Sequence, residues 1–396
     1  MRRIDLKRAN VARPNTVRDI NRQIVLNLIR EKEPISRGVI AQETELHRAT
    51  ISTILEELTV DGLIEEVGAG ESTGGRPPIL LRLRAGGPVA VGVDMGTART
   101  VVATGDLAGR VLKQEEFATD PDAEETLRRV AASVLRLVGK HKRSIEGVGV
   151  SLPGLVDHEA GSALFIPHFK WRDWPVAREI EAATGLSVAV DNDANAVALA
   201  ELWFGRPEVQ GVRDFVMVLV AEGIGTGIVF DGQVYRGEGG SAGEFGHTTI
   251  GAGAPVACAA GSRGCWEAFA SERAALARYQ KLARGESGQV DFVQLVERSL
   301  RGEPAAVNAL TETAHYLGVG ISNLIGGMSP EAIIIGGPIV RAWPLIVREI
   351  SKVVGENSCL IQPSVRIIAS TLGAQPKLMG ALSLVLASKF AVVHAM

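Results

Sequence analysis

Cysteine is scarce: Cys258, Cys265 and Cys359 are the only three in 396 residues, which rules out an even disulfide framework. Cys258 and Cys265 share a glycine-rich loop, a spacing that points to metal or loop chemistry rather than a bridge. No apolar run approaches the roughly 18 residues a membrane span requires, and the Arg-rich start lacks the apolar segment of a secretory signal; a cytoplasmic location with no membrane partner is expected. Net charge is also small, −3 from 45 acidic and 42 basic residues. With 46% apolar and 22% charged residues this is an ordinary folded chain, long enough for two or three domains.

The small total hides a local excess. Residues 1–30 carry Arg2, Arg3, Lys7, Arg8, Arg13, Arg18, Arg22 and Arg30 against Asp5 and Asp19, a charge pattern that reads equally as a solvated tail or as an arm for a polyanion. The next segment favours the second reading. Ile20, Ile24 and Leu28 recur at four-residue spacing behind Thr16 as N-cap, predicting an amphipathic helix to Arg30. Ser36 caps a short second helix through Gln42, and residues 43–47 read as a tight turn. A third helix over Arg48–Val60 gathers Ile51, Ile54, Leu55 and Leu58 on one face. That leaves Arg48, Ala49, Thr50, Ser52 and Thr53 on or near the other side, short polar groups where a major-groove helix meets base edges. A hairpin of residues 63–67 and 79–83 completes a winged helix-turn-helix over 1–84, and Arg76 at its tip is placed to enter a minor groove. The alternative is a three-helix module that docks a protein. The sequence Ala85-Gly86-Gly87-Pro88 marks the expected boundary.

Beyond it a unit repeats. Residues 89–93 run into Asp94-Met95-Gly96, then into residues 100–103 and a hairpin turn; residues 216–220 run into Gly223-Ile224-Gly225-Thr226-Gly227, then into residues 228–230 and another. Two copies imply two α/β lobes, about 89–200 and 201–396, facing a cleft in which glycines let backbone approach a phosphate. Between the copies a strand ends at Asp191 and a helix through Phe204 begins near Asp193. Asn192 and Asp193 thus project where clefts form; Asp193 can accept a hydroxyl proton and Asn192 can hold neighbouring hydroxyls, with helix capping by Asp193 as the structural alternative. Glu244 and Glu267 bracket a loop containing His247, Cys258 and Cys265, and are acceptors for hydroxyls. Its three metal-type ligands do not close a tetrahedron.

In order, residues 93–96, 147–157, 191–196, 223–227, 242–247 and 333–337 resemble the ROK family (repressor, open reading frame, kinase) in its regulator form. The resemblance implies an actin-like ATPase-type, sugar-kinase-like fold, with Asp193 as base and Asn192, Glu244, His247 and Glu267 as sugar ligands. It assigns phosphate or nucleotide contacts to Asp94, Gly96, Gly223, Gly225, Gly227, Gly336 and Gly337, and zinc to the His matching His247 with three cysteines. Two departures stand out. Ala260 replaces the middle cysteine, which leaves the zinc set incomplete, and Thr97-Ala98 follow Gly96 where active kinases have Gly-Thr, which weakens phosphoryl transfer. The expectation is a sugar-responsive transcriptional regulator of carbohydrate genes, acting as a repressor. Its expected partners are operator duplex DNA, a sugar or phosphorylated sugar, and a second copy in a homodimer that can pair into a tetramer. The alternative is an ATP- and magnesium-dependent sugar kinase.

Overall fold

The structure, a computed structural model, describes residues 14–70, 77–84, 86–87, 89–205, 209, 211–258, 260–283, 290–357 and 365–390. Arg76, Cys359 and the basic residues before Pro14 lie outside them.

The head is built from α1 (Pro14–Lys32), β1 (Ile35–Ser36), α2 (Arg37–Thr44), α3 (Arg48–Val60), β2 (Ile64–Ala69) and β3 (Ile79–Leu83). Helix α1 begins at Pro14, so Thr16 lies inside its first turn and is not the cap. Its buried face also differs from the four-residue spacing: Val25, Leu26 and Ile29 are fully buried, while Ile24 is 42% exposed. The cause is that α1 packs on two sides, against the head and against the last helix of the body. Helix α2 is capped by Ser36, whose hydroxyl accepts from Val39 N, and runs on to Thr44 before Glu45 turns left-handed (φ 55°). Helix α3 occupies the expected span and buries Ile51, Ile54, Leu55 and Leu58. Strand β1, unforeseen in the sequence, pairs with β3 and makes a three-stranded sheet in the order β1-β3-β2.

The body opens with β4 (Ala90–Met95), β5 (Arg99–Gly105), β6 (Val111–Ala118), α4 (Ala123–Val138) and β7 (Gly147–Leu152). A small antiparallel sheet follows, β8 (Leu155–Asp157), β9 (Ser162–Ile166) and β10 (Trp171–Trp174), then α5 (Val176–Thr184), β11 (Val188–Asn192) and α6 (Asp193–Phe204). The second half holds β12 (Phe215–Val220), β13 (Ile224–Phe230), β14 (Gln233–Tyr235), α7 (Trp266–Ala270), α8 (Glu272–Leu282), α9 (Phe292–Leu300) and α10 (Pro304–Met328). It ends with β15 (Ala332–Gly336), α11 (Trp343–Asn357), β16 (Arg366–Ala369) and α12 (Pro376–Phe390).

The two large sheets have the same plan. In β11-β7-β4-β5-β6 and in β16-β15-β12-β13-β14, an antiparallel meander is extended by two parallel strands. Strands β4, β7, β12 and β15 are apolar runs buried on both faces, as parallel strands covered by helices must be. The repeat legible in the sequence is therefore a repeat of architecture.

Helix α12 returns to the first sheet, packing on β4, β7 and α6. The approach is close because the strands present glycines: a β-carbon on Gly149 would collide with Ala381 O, and Leu382 fills the space over Gly92 and Gly105. The far end of α12 enters the head, where Leu382, Val385, Leu386 and Phe390 share one apolar cluster with Val25, Leu26, Ile29 and Leu58. Head and first lobe are thus continuous in their packing. Among the described residues no helix is long and apolar enough to cross a membrane.

Candidate functional site

Parallel pairing with β7 carries β11 to the lip of the cleft between the sheets, and the chain turns there into α6. The cap is Asn192, not Asp193: Asn192 Oδ1 accepts from Ala194 N (2.9 Å) and Asn195 N (3.3 Å), and its Nδ2 donates to Gly154 O (2.9 Å). Asp193 is left for other work. Its Oδ1 accepts from Ala194 N (2.9 Å), and its Oδ2 is ion-paired with Lys377 Nζ at 2.7 Å. Asp191, almost fully buried, is held by Arg236 through Nε (2.8 Å) and Nη2 (2.7 Å), which fixes the strand end beneath the site.

Lys377 and Arg236 were not anticipated. Lys377 is the second residue of α12, at the positive end of the helix dipole, where a cation is disfavoured by roughly 0.3–1 kcal/mol. A basic residue placed directly after a helix-starting proline was the available signal. Burial alone would lower the Lys377 ammonium, but Asp193 and Asp94 more than offset it and hold its pKa above the usual lysine value.

The facing wall comes from the second lobe. Glu244 and His247 sit on one 3-10 turn, with Glu244 Oε2 3.6 Å from His247 Nε2. Thr226 Oγ1 donates to Gly243 O and pins this turn to β13. Glu267, the second residue of α7, has its carboxylate against Gly223, where a β-carbon would lie 2.5 Å from Oε2. Loss of solvent raises the Glu244 carboxyl, with His247 opposing and Asp193 and Glu267 adding. Asp193, Glu244, His247 and Glu267 thus come within electrostatic reach of one another, with Asn192 next to Asp193 at the strand end, a set of polar groups that can hold hydroxyls.

The glycine turns are less suited to phosphate. Gly96 N already donates to Arg99 O (3.0 Å) in its own hairpin. Thr97 Oγ1 donates to Glu222 Oε2 at 2.5 Å, so a carboxylate bridges the first turn to the second. Burial pushes Asp94 up to about 6, with Lys377 opposing, and pushes Glu272 up to about 7, with Lys377 again opposing and Glu222 adding. Gly225 and Gly227 face α6, where β-carbons would crowd Ala194 and Ala198, and Gly337 (φ 102°) lies against Val220 O at the end of β15, beyond Gly336. Close packing on α6 is one sufficient reason for Gly225 and Gly227.

Beside the cleft, one ligand atom each from His247, Cys258, Cys265 and Glu267 lies within 4.8 Å of the others. Ala260 is exposed on the same loop. Burial and a hydrogen bond with Cys258 push the Cys265 thiol up to about 11. Two thiols, an imidazole and a carboxylate match the donor types and number of a four-coordinate zinc site, with Glu267 where the sequence lacked a ligand. On the head, Arg48, Ala49, Thr50 and Thr53 are exposed and Ser52 is half-buried. The hydroxyls of Ser52 and Thr53 donate back to Arg48 O (3.1 Å) and Ala49 O (3.2 Å).

A winged helical head on a body of two similarly built α/β sheets defines the class, a regulator built on a sugar-kinase-like fold. The chain belongs to the ROK family, whose model matches residues 90–388. It is 32% identical over 393 residues to the putative xylose repressor of Caldicellulosiruptor sp. strain Rt8B.4, covering 95% of this chain and 97% of that one. A solved ROK family transcriptional regulator, a homologue of the E. coli MLC protein, superposes with a TM-score of 0.76 at 29% identity over 95% of this chain and 97% of its own. A ROK family glucokinase from Streptomyces griseus, in complex with glucose and AMPPNP, superposes with a TM-score of 0.68 at 30% identity. It covers 76% of this chain and 99% of its own length.

Proposed function

We propose that this protein is a sugar-responsive transcriptional repressor of carbohydrate genes, which binds operator DNA through α3 and the wing and a sugar in the cleft around Asn192, Asp193, Glu244, His247 and Glu267. The observation that carries this reading is the single apolar cluster shared by the head and α12, because α12 also delivers Lys377 to Asp193. Relatives named as a xylose repressor and a ROK transcriptional regulator match along almost the whole chain, head included, which supports the same assignment.

The effector we assign is a neutral, unphosphorylated sugar. Asp94, Glu222 and Glu272 gather beside the two glycine turns around a single ammonium, that of Lys377, and their excess of negative charge disfavours an anion. Asp193 at the head of α6 favours a second reading, an ATP-dependent sugar kinase; the Glu222 carboxylate bonded to Thr97 between the two glycine turns opposes that reading. The protein acts as a homodimer, two heads reading half-sites about one helical turn apart, and zinc on His247, Cys258, Cys265 and Glu267 stiffens the sugar-binding loop.

Titration calorimetry of the full chain with xylose, glucose and N-acetylglucosamine, each free and phosphorylated, and with ATP and magnesium, tests this assignment. Saturable heat with a free sugar and none with ATP is the expected result. Tighter binding of a phosphorylated form, or steady ADP release in the presence of sugar, would defeat it.

A further inference from the structure

Helices α6 and α12 run parallel and in step. Their N-termini meet at the Asp193–Lys377 ion pair, their middles touch where Gly380 lies against Ala196 and Val197, and their C-termini meet as the Phe390 ring packs 6.2 Å from Phe204 and 6.4 Å from Trp203. Fifteen residues of α12 span about 22 Å between these ends. The far end is a clamp on α1. The Arg30 guanidinium stacks 5.1 Å from the Trp203 ring and 4.8 Å from that of Phe390, and Asn27 Nδ2 donates to Phe390 O at 2.7 Å.

That clamp is incompletely satisfied. Gln23 Oε1, Asn27 Oδ1 and Arg30 Nη1, all on α1, are buried without a hydrogen-bond partner among the described residues. Buried polar atoms left unpaired make an arrangement costly to hold, and therefore easily exchanged for another. Along its middle the helix has no slack, since Gly149 lets Ala381, and Gly92 and Gly105 let Leu382, sit directly on the sheet. A change at Lys377 is then carried along α12 instead of being absorbed by side chains beneath it.

We propose that Lys377 is the residue through which occupancy of the cleft reaches the head: a ligand hydroxyl that takes the Asp193 carboxylate displaces the Lys377 ammonium, and the α6–α12 pair passes the exchange to α1 at Asn27 and Arg30. The inference rests on the sugar-responsive reading above and names the device that makes the response. Ligand and Lys377 compete for one carboxylate oxygen, so the paired and unpaired arrangements bind sugar with different affinity, which is the condition for any shift between them. Lys377 is a positioning residue on this account, since it acts through Asp193 and α12.

The test uses the full chain with K377M, K377R and, at the far end, R30M. Anisotropy of a labelled duplex from the DNA upstream of the gene, with and without xylose or glucose, gives the ratio of DNA affinities; calorimetry gives the sugar affinity; hydrogen exchange follows the amides of α1. In wild type, sugar should change DNA affinity by roughly tenfold, within the usual range of coupling, and should alter exchange in α1. In K377M the ratio should fall toward one, sugar should bind as well or more tightly because Asp193 is released, and α1 should exchange faster even without sugar. K377R should restore part of the ratio, and R30M should lose the ratio while keeping wild-type sugar affinity. A K377M protein that keeps the wild-type ratio and α1 exchange overturns the inference and leaves the functional reading standing. Wild type that binds no sugar, or whose DNA affinity ignores sugar, overturns the functional reading and this inference with it.

Discussion

Replacing Asp94 by Asn should stabilise the protein at high pH and do little at low pH. Loss of solvent at the end of β4 raises this carboxyl from 3.8 to about 6; Lys377 opposes the rise, Asp193 adds to it and Arg99 opposes it. Between those two values the folded chain keeps a proton that the unfolded chain has released, so stability falls as pH climbs through the window and the penalty is constant above it. A carboxyl raised from 3.8 to about 6 sets an upper bound near 3 kcal/mol, which relaxation of the neighbouring charges reduces to about 2 kcal/mol. Asn cannot ionise and escapes the penalty, while Lys377 keeps Asp193 as partner. Urea denaturation of both proteins at about pH 4, 6 and 8 and constant ionic strength should show D94N gaining about 2 kcal/mol over wild type across the range. A stability difference that does not vary with pH, or that moves in favour of wild type at high pH, refutes the burial argument.

Arg48→Ala should weaken binding to operator duplex and lower the dependence of log affinity on log salt by about one if Arg48 meets a phosphate, or relax base preference at one position if it meets a base; anisotropy over a salt series separates the two from no effect at all. Zinc titration of the metal-free chain should give about one site per chain, with affinity rising as pH rises because the Cys265 thiol, pushed up to about 11, must lose its proton on binding. Cys258→Ser should abolish that site, and retained stoichiometric binding would show that the four donors are not the ligands.

Much of this molecule is legible in its sequence because local pattern and tertiary demand agree. Helix α3 announces itself through Ile51, Ile54, Leu55 and Leu58, and the apolar runs of β4 and β12 end in glycine turns that mark the repeated sheet. Helix α1 misleads because a helix buried on two sides has no single apolar stripe, so Val25, Leu26 and Ile29 go inside while Ile24 does not. Strand β1 is two residues long and has no periodicity to read. At the site, Asn192, Asp193, Glu244, His247 and Glu267 come from short motifs and could be named in advance. Lys377, the Thr97–Glu222 bridge and the placement of Glu267 beside His247, Cys258 and Cys265 depend on contacts between segments apart in the chain, and no local rule reports them.

Sugar affinity of the full chain, measured by calorimetry with and without saturating operator duplex, tests the central claim most directly. The account predicts that DNA changes sugar affinity by the same factor, about tenfold, by which sugar changes DNA affinity, as reciprocal coupling requires. Equal sugar affinity in the two titrations would mean that cleft and head are not linked, and would contradict it.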